Sequence, residues 1–267
     1  MAEAAVVKKE STAVANIMDD LYEAAGQGME TIGADDMQIP FLRILQPLSP
    51  QLIKNDPKFI KGASAGDIFN TVTGEFWEAD EGVNVLMCAY TTKFLEFQLR
   101  ENGGGFMGEL DANNPDIRQT NRVGANEMLP NGNELVRSAQ FLVLAYNADG
   151  MTTQMICDMK KTQLKVSRKW NTQMRMVQYQ GPNGLFNPPM WGTIWKLTTV
   201  QESNDQGSWN NYAVERIEPT EVPQDTFIAA KSFFESFAKG EIKTSGATAE
   251  EQSEPKQASV SSDDVPF

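Results

Sequence analysis

Histidine is absent from this 267-residue chain. Its absence excludes catalytic arrangements that need an imidazole, including serine or cysteine nucleophiles with a histidine partner, and it excludes the helical zinc motifs. A glycine-lysine phosphate loop is missing too, because the glycine run at 103–105 lacks both the spacing and the lysine. Since the acidic residues are scattered along the chain, we expect no enzymatic activity, no cofactor and no metal site.

Cysteine and long apolar runs are also scarce. The two cysteines, Cys88 and Cys157, lie within apolar, strand-like segments, a pattern typical of buried free thiols rather than of a disulfide framework. The sequence has no run near the eighteen apolar residues of a membrane span, and its first residues lack the pattern of a signal peptide. We therefore expect a cytoplasmic protein without membrane association.

Acidic residues are missing from one window of an otherwise acidic chain. The net charge is −13, yet residues 159–201 contain seven basic and no acidic residues. Aromatic side chains are interleaved with these cations, a composition expected of proteins that hold single strands through phosphate contacts and base stacking. A solvated helix followed by core aromatics would give the same composition. The candidate DNA-binding residues in this window are Lys160, Lys161, Lys165, Arg168, Lys169, Arg175, Tyr179, Phe186, Trp191 and Trp195.

Periodicity predicts that the first part of this window is an amphipathic helix. Between Lys160 and Val177 there is neither glycine nor proline, and the cations fall on one side at 100° per residue. Trp170 falls on the opposite, apolar side, so we expect it in the core. Trp191 and Trp195 follow in a strand-like segment and share a face under period two. They are therefore either both buried or both accessible to a ligand.

The rest of the body is rich in strand patterns. Segments of strand-forming residues are separated by turns at 73–74, 147–150 and 204–207, where asparagine, aspartate and glycine tolerate positive φ. At least five strands flank the basic helix. This order predicts a mainly β fold with α elements, in the form of an OB-fold-like five-stranded barrel with insertions, although other α+β sandwiches also fit it.

A second candidate binding segment precedes the basic window. In it, Lys93, Phe94, Phe97 and Arg100 place charge and aromatic rings on a strand beside the glycine run. A flexible loop of this kind can close over bases. A plain β-hairpin with a slack tip fits the same residues.

Two further helices and a tail complete the predicted organisation. The acidic segment 1–36 contains one amphipathic helix, suited to docking or self-association. The OB-like DNA-binding domain spans 37–243 and closes with a helix that is capped by Asp225 and ends at Gly240. Residues 244–267 have few apolar side chains and excess acid, so we expect a disordered tail. The apolar face of the last helix is predicted to comprise Phe227, Ile228, Phe234 and Phe237.

The chain ends in Asp263, Asp264, Val265, Pro266 and Phe267. These five residues resemble the acidic tip of bacterial single-stranded DNA-binding proteins, with valine where that tip usually has isoleucine. The resemblance implies a partner-binding tip. Its phenyl ring would enter an apolar pocket of another replication or repair protein, and basic residues there would receive the acidic groups.

Body and tail together resemble bacteriophage single-stranded DNA-binding proteins, which have an enlarged OB barrel and an acidic tail that ends in an aromatic residue. The stretches 93–106 and 160–170 resemble segments of such phage proteins. The resemblance implies a protein that coats single-stranded DNA without base preference during phage replication, recombination and repair in the bacterial cell. Its tip would recruit polymerases, helicases or nucleases. The alternatives are a strand-annealing protein that assembles into homo-oligomers and an adaptor that binds only proteins.

Overall fold

A computed structural model describes residues 17, 19–31, 38–205, 207–217 and 222–246. The chain divides into two units, residues 1–38 and residues 39–267. In the first unit, residues 19–23 are helical, within the helix that periodicity predicts, and Gly26 follows at a φ of 81°. The apolar side chains of this helix that the structure describes, Ile17, Leu21 and Tyr22, are exposed.

The second unit is built mainly from β-strands. Within its described residues the strands are β1 (Phe41–Ile44), β2 (Ile68–Asn70), β3 (Phe76–Trp77), β4 (Val83–Gln98), β5 (Gly105–Leu110), β6 (Asn121–Val123), β7 (Asn126–Met128), β8 (Glu134–Tyr146), β9 (Thr152–Lys160), β10 (Tyr179–Gly181), β11 (Gly184–Phe186), β12 (Ile194–Asn204) and β13 (Gly207–Arg216). Two α-helices accompany them, α1 (Leu164–Arg175) and α2 (Gln224–Ala238).

Eleven of the described strands belong to one mixed sheet. Its main path runs β13-β12-β4-β8-β9-β1-β2-β3, with β5 added to β4 and the β6–β7 hairpin added to β8. Strands β1 and β9 pair in parallel, whereas the other pairs along the path are antiparallel. Strands β10 and β11 form a separate hairpin. This architecture confirms the predicted mainly β fold with few helices.

The sheet curls into a half-barrel, because β1 approaches β13 although the two strands are far apart along its path. The Tyr212 hydroxyl of β13 donates a hydrogen bond to the Leu42 carbonyl of β1 at 2.9 Å. Just beyond β1, the Gln46 side chain both donates to and accepts from the Asn210 backbone, each at 2.9 Å. The Gln46 side-chain amide thus makes the two backbone hydrogen bonds that a paired strand residue would otherwise make.

Helix α1 seals the inside of the curled sheet. Trp170 is 0% exposed and stacks at 4.4 Å from the Phe141 ring and 6.1 Å from the Trp195 ring, measured between centroids. Val177, two residues beyond the helix, is buried in the same cluster. The predicted amphipathic helix and its core tryptophan are confirmed, and the helix itself begins only at Leu164 because a single 3-10 turn precedes it.

Helix α2 covers the outer face of β4 and β8. The helix is confirmed, but its predicted details need two corrections. Pro223 is the N-cap and Asp225 lies in the first turn. Phe233 is the buried phenylalanine, whereas Ile228 is 55% exposed, because the buried stripe runs through Ala230 and Phe233.

The far ends of β4 and β8 extend beyond the parts that pair with β12 and β9, and we call this extension the ribbon. Strand β4 has sixteen residues, a length of roughly 50 Å, and β5 pairs with its last five residues. A small cluster of Ile117, Leu129 and Leu135 packs under this part of the ribbon with Phe94 and Leu110. The ribbon therefore carries its own apolar support, which fixes a surface outside the barrel.

Candidate functional site

A cleft of about 790 Å³ lies at the far end of the ribbon. We call it the ribbon cleft. Strands β4 and β5, the loop that joins them, β7, β8 and the turn before α1 all contribute to its walls. The residues that line it are Phe97, Gln98, Leu99, Arg100, Glu101, Gly105, Phe106, Val123, Asn126, Met128, Glu134, Val136 and Lys161.

Two phenylalanine rings form the aromatic wall of the ribbon cleft. Phe97 of β4 pairs with Phe106 of β5, and their ring centroids lie 5.5 Å apart at 57°. Both side chains are half-buried, so each ring keeps a part of its surface toward the cleft. The pairing depends on a tight connection in which Gly103, Gly104 and Gly105 all have positive φ, a conformation that glycine adopts without strain.

The charged residues of the ribbon cleft balance one another. Arg100 is exposed in the loop after β4, and Lys161 extends from the turn before α1. Glu101 and Glu134 supply two carboxylates, and the Lys161 Nζ lies 3.0 Å from a Glu134 carboxylate oxygen. With two cations and two anions in its lining, the cleft has no excess positive charge.

An ion pair holds the β6–β7 hairpin against the ribbon. Arg137 of β8 donates to both carboxylate oxygens of Glu127 in β7, at 3.0 and 3.2 Å. This pairing is the main cause that lowers the pKa of Glu127. The Arg137 guanidinium also lies 5.3 Å from the centroid of the Phe94 ring. Since β7 supplies one wall of the ribbon cleft, these contacts fix the shape of that wall.

A second, smaller concavity of about 180 Å³ is lined by residues of β1, β9 and β13 and of the segments next to β1 and α1. We call it the β1–β9 pocket. Arg43 and Lys160 converge there on one oxygen of Asp158, at 3.2 and 3.0 Å. The Asp158 side chain is only 3% exposed. The other residues that line the β1–β9 pocket are Ile44, Gln46, Gln163 and Tyr212.

The predicted cationic residues of the basic window separate into four groups in the structure. Lys161 lines the ribbon cleft and Lys160 lines the β1–β9 pocket. Lys165 is tied to β12, with its Nζ 2.7 Å from Glu202, and this contact is the first cause that lowers the pKa of Glu202. The remaining cations of α1 are exposed on the outer side of the helix and line neither concavity; they are Arg168, Lys169 and Arg175.

The predicted aromatic residues of the basic window do not share one surface. Trp195 of β12 is 1% exposed in the inner core, so its ring offers no face to a base, which corrects its assignment as a stacking residue. Trp191 lies in a 3-10 turn before β12 rather than in the strand, and its ring packs 5.0 Å from Phe234 of α2. The two tryptophans therefore do not share a face.

The β10–β11 hairpin carries the other two predicted aromatics of this window. Tyr179 is half-buried, and its hydroxyl donates to the Gly192 carbonyl at 3.0 Å. Phe186 packs edge-on against Tyr179 with 6.2 Å between centroids and is 47% exposed. Of the two, Phe186 alone presents a largely open ring, and it lies outside the two concavities described above.

Two predicted residues of the β4 segment support the ribbon instead of lining the cleft. The Lys93 Nζ lies 2.6 Å from a Glu109 carboxylate oxygen on β5. The Phe94 ring packs on the small cluster beneath the ribbon. They face opposite sides of the ribbon because successive side chains of a strand alternate.

Sequence reasoning missed several residues of the ribbon cleft. Phe106 could have been found, because a hairpin centred on the glycine run places it opposite Phe97. Val123, Asn126 and Met128 carry no comparable signal. They reach the cleft only because the β6–β7 hairpin folds back on β8.

The two cysteines are inert core residues in the structure. Burial raises the pKa of the Cys88 thiol to about 12, and burial is also the main cause that raises the pKa of Cys157. Within the described ranges, no group of three or more carboxylate or thiol side chains is placed to hold a metal ion. The helices of those ranges are too short or too polar to cross a membrane.

The packed body reaches Gly246, three residues beyond the predicted end of the domain. Thr244 is buried, and the Ser245 carbonyl accepts a hydrogen bond of 2.8 Å from the Gln140 side chain. A side chain at Gly246 would overlap Leu95 of β4. The predicted partner-binding tip, Asp263 to Phe267, lies outside the described residues.

Fold and site together define a class: a mainly β protein with a curled mixed sheet that carries an aromatic cleft on an extended ribbon. A family model described as Pam3 phage gp34-like protein matches residues 8–243. Because this match covers most of the chain, the protein belongs to the Pam3 phage gp34-like family, and the match supports a phage origin. Comparison with curated proteins and with solved structures gave no match.

Proposed function

We propose that this protein binds single-stranded DNA without base preference and coats it during phage DNA replication, recombination or repair. The observation that carries the proposal is the ribbon cleft, in which Phe97 and Phe106 present two adjacent ring surfaces with Arg100 and Lys161 nearby. Stacking on aromatic side chains tolerates every base, because every base has a π-face.

The strand order supports an OB-like barrel as the scaffold. Strands β4, β8 and β9 are consecutive antiparallel neighbours, α1 follows β9, and β12 and β13 come after the helix. This is the chain order of a five-stranded OB barrel, with β1 inserted between β9 and β13. The ribbon cleft then lies at the loop between the first two barrel strands, one of the loops with which OB folds hold oligonucleotides.

The size of the stacking contribution decides whether a cleft without excess charge can bind DNA. Base stacking on an aromatic ring contributes about 1–3 kcal/mol for each base. Two rings can therefore supply several kcal/mol, and phosphate contacts of Lys161 and Arg100 would add to it. Lys161 would exchange its Glu134 partner for a phosphate, so its net contribution should be modest.

Partner recruitment through the C-terminal tip is the second part of the proposal. It rests on the sequence of the tip, in which two aspartates precede Val265, Pro266 and Phe267. Capture of a terminal carboxylate with an adjoining apolar ring is a known mode of peptide recognition.

Fluorescence anisotropy of a labelled oligo-dT strand tests the main proposal. We expect saturable binding, similar affinity for mixed-sequence strands, and an affinity that falls as salt is raised. Mixing complementary labelled strands in the same buffer separates simple coating from strand annealing. An unchanged anisotropy for every oligonucleotide at low salt would overturn the proposal.

A further inference from the structure

Lys160 and Lys161 are neighbours in sequence, yet they line different concavities. Lys160 is the last residue of β9 and lines the β1–β9 pocket, whereas Lys161 lines the ribbon cleft. Lys161 has a φ of 49°, in the left-handed region that non-glycine residues seldom adopt. This turn directs the two lysines into different concavities. Because consecutive Cα atoms are about 3.8 Å apart, the ribbon cleft and the β1–β9 pocket adjoin each other at these lysines.

The β1–β9 pocket has the components of a phosphate site. Arg43 and Lys160 share one oxygen of the buried Asp158 side chain, so two cationic groups lie within reach of a single anion. The lining of the pocket contains two cations, Arg43 and Lys160, and one carboxylate, Asp158. A phosphodiester carries one negative charge, and charge-assisted hydrogen bonds from guanidinium and ammonium groups are the stronger kind.

The remaining walls of the pocket are shaped for a small polar group. Its volume of about 180 Å³ is several times the ~30 Å³ share of one liquid water, so a phosphate group fits. The Gln163 oxygen accepts a hydrogen bond from the Lys160 backbone, which turns the amide toward this part of the wall. The Arg43 guanidinium is further positioned 5.3 Å from the centroid of the Phe41 ring.

We propose that the β1–β9 pocket is a backbone phosphate subsite for the same DNA strand whose bases stack in the ribbon cleft. Arg43 and Lys160 receive the phosphate, and Asp158 holds them in place and competes with it. The inference rests on the proposed function, and it divides the interface into two parts. The ribbon cleft contributes stacking with modest phosphate contacts, and the pocket contributes a further phosphate contact.

Salt titrations of two opposite charge changes test this subsite. Arg43→Gln removes a phosphate contact, so the slope of log affinity against log salt should fall by about 0.7, with binding about fivefold weaker near 0.1 M salt. Asp158→Asn removes the competing anion, so binding should become tighter, by up to about fivefold. Lys231→Gln is the matched control, because Lys231 pairs with Glu235 on the exposed side of α2. It should leave both quantities unchanged.

The two substitutions must act in opposite directions. A structural ion-pair network would instead give two variants with lowered thermal stability and no gain in binding for Asp158→Asn. Wild-type affinity and salt slope for a folded Arg43→Gln variant would overturn the subsite and leave the ribbon cleft standing. Absence of any oligo-dT binding by the wild type would overturn the proposed function itself.

Discussion

The ribbon cleft and the outer face of α1 contain similar residue types but differ in shape. The cleft gathers Phe97, Phe106, Arg100 and Lys161 from separate elements into one concavity. Helix α1 displays Arg168 and its neighbouring cations on an exposed outer face. A protein that stacks the bases and contacts the phosphates of one DNA strand needs both kinds of side chain on a shared surface. The comparison therefore favours the ribbon cleft over the outer face of α1 as the proposed DNA interface.

The largest expected effect concerns what holds α1 in place. Trp170→Ala should lower the free energy of unfolding by about 3–5 kcal/mol, because it empties a fully buried site between Phe141 and Trp195. Arg168→Ala on the outer face of the same helix should change it by less than about 0.5 kcal/mol. Urea unfolding followed by circular dichroism measures both, and similar values for the two variants would contradict the assigned faces.

The next largest effect separates the cleft from the β10–β11 hairpin. Phe97→Ala should weaken oligo-dT binding by about 1–3 kcal/mol, because it removes one stacking ring. Phe106→Ala should behave alike. Phe186→Ala is the control, since its ring is open to solvent outside the cleft. If Phe186→Ala weakened binding and the cleft variants did not, the interface would lie at the hairpin.

A smaller effect compares the cations of the two regions. Lys161→Gln should lower the salt slope by up to about 0.7 and weaken binding near 0.1 M salt by up to about fivefold. Lys169→Gln removes the same charge from the outer face of α1 and should have little effect. Anisotropy titrations at several salt concentrations measure both. Equal slopes for the two variants would mean that binding senses net charge alone.

A still smaller effect concerns the wall of the cleft and depends on pH. Pairing with Arg137 lowers the pKa of Glu127, so the pair stabilises the fold above the ordinary carboxyl pKa, and this stability is lost as pH falls through the lowered value. For a partly exposed pair we expect less than about 1 kcal/mol. Glu127→Gln should therefore lose less stability than wild type between pH 5.5 and pH 3. Parallel losses in urea unfolding would rule out this contribution.

No loss of DNA affinity is expected from the last change, deletion of Val265–Phe267. The tip would serve partners rather than bases, so oligo-dT affinity should stay the same or rise, while retention of replication proteins from a host extract is lost. Anisotropy and pull-down measure the two effects. Loss of DNA binding in the truncated protein would place the tip within the DNA interface.

Local pattern was sufficient for much of the secondary structure. The strand-forming composition of β4, β8, β9, β12 and β13, the turn residues between strands and the apolar stripe through Trp170 are all visible in sequence. These patterns depend only on residues that are close together in the sequence. The half-barrel was predictable only as a class, because the pairing of β1 with β9 and its approach to β13 depend on contacts more than one hundred residues apart.

The site was less predictable because distant groups decide what a side chain can do. The basic window contains no acidic residue, yet Asp158, Glu134 and Glu202 come from elsewhere to pair with three of its lysines. The period-two pattern of a strand shows which side chains share a face, but it does not show which face is buried. Trp195 is therefore a core residue, although the composition of the basic window suggested a stacking role.

The sequence by itself determined the long strands and the two helices of the second unit, where the cations concentrate, and that histidine-based chemistry is excluded. Tertiary structure alone decided that Phe97 meets Phe106 across a glycine turn, that consecutive lysines enter two concavities, and that much of the basic charge is compensated. The physical reason is range: hydrophobic periodicity and turn preferences act along the chain, whereas concavity and ion pairing arise from residues that only folding brings together.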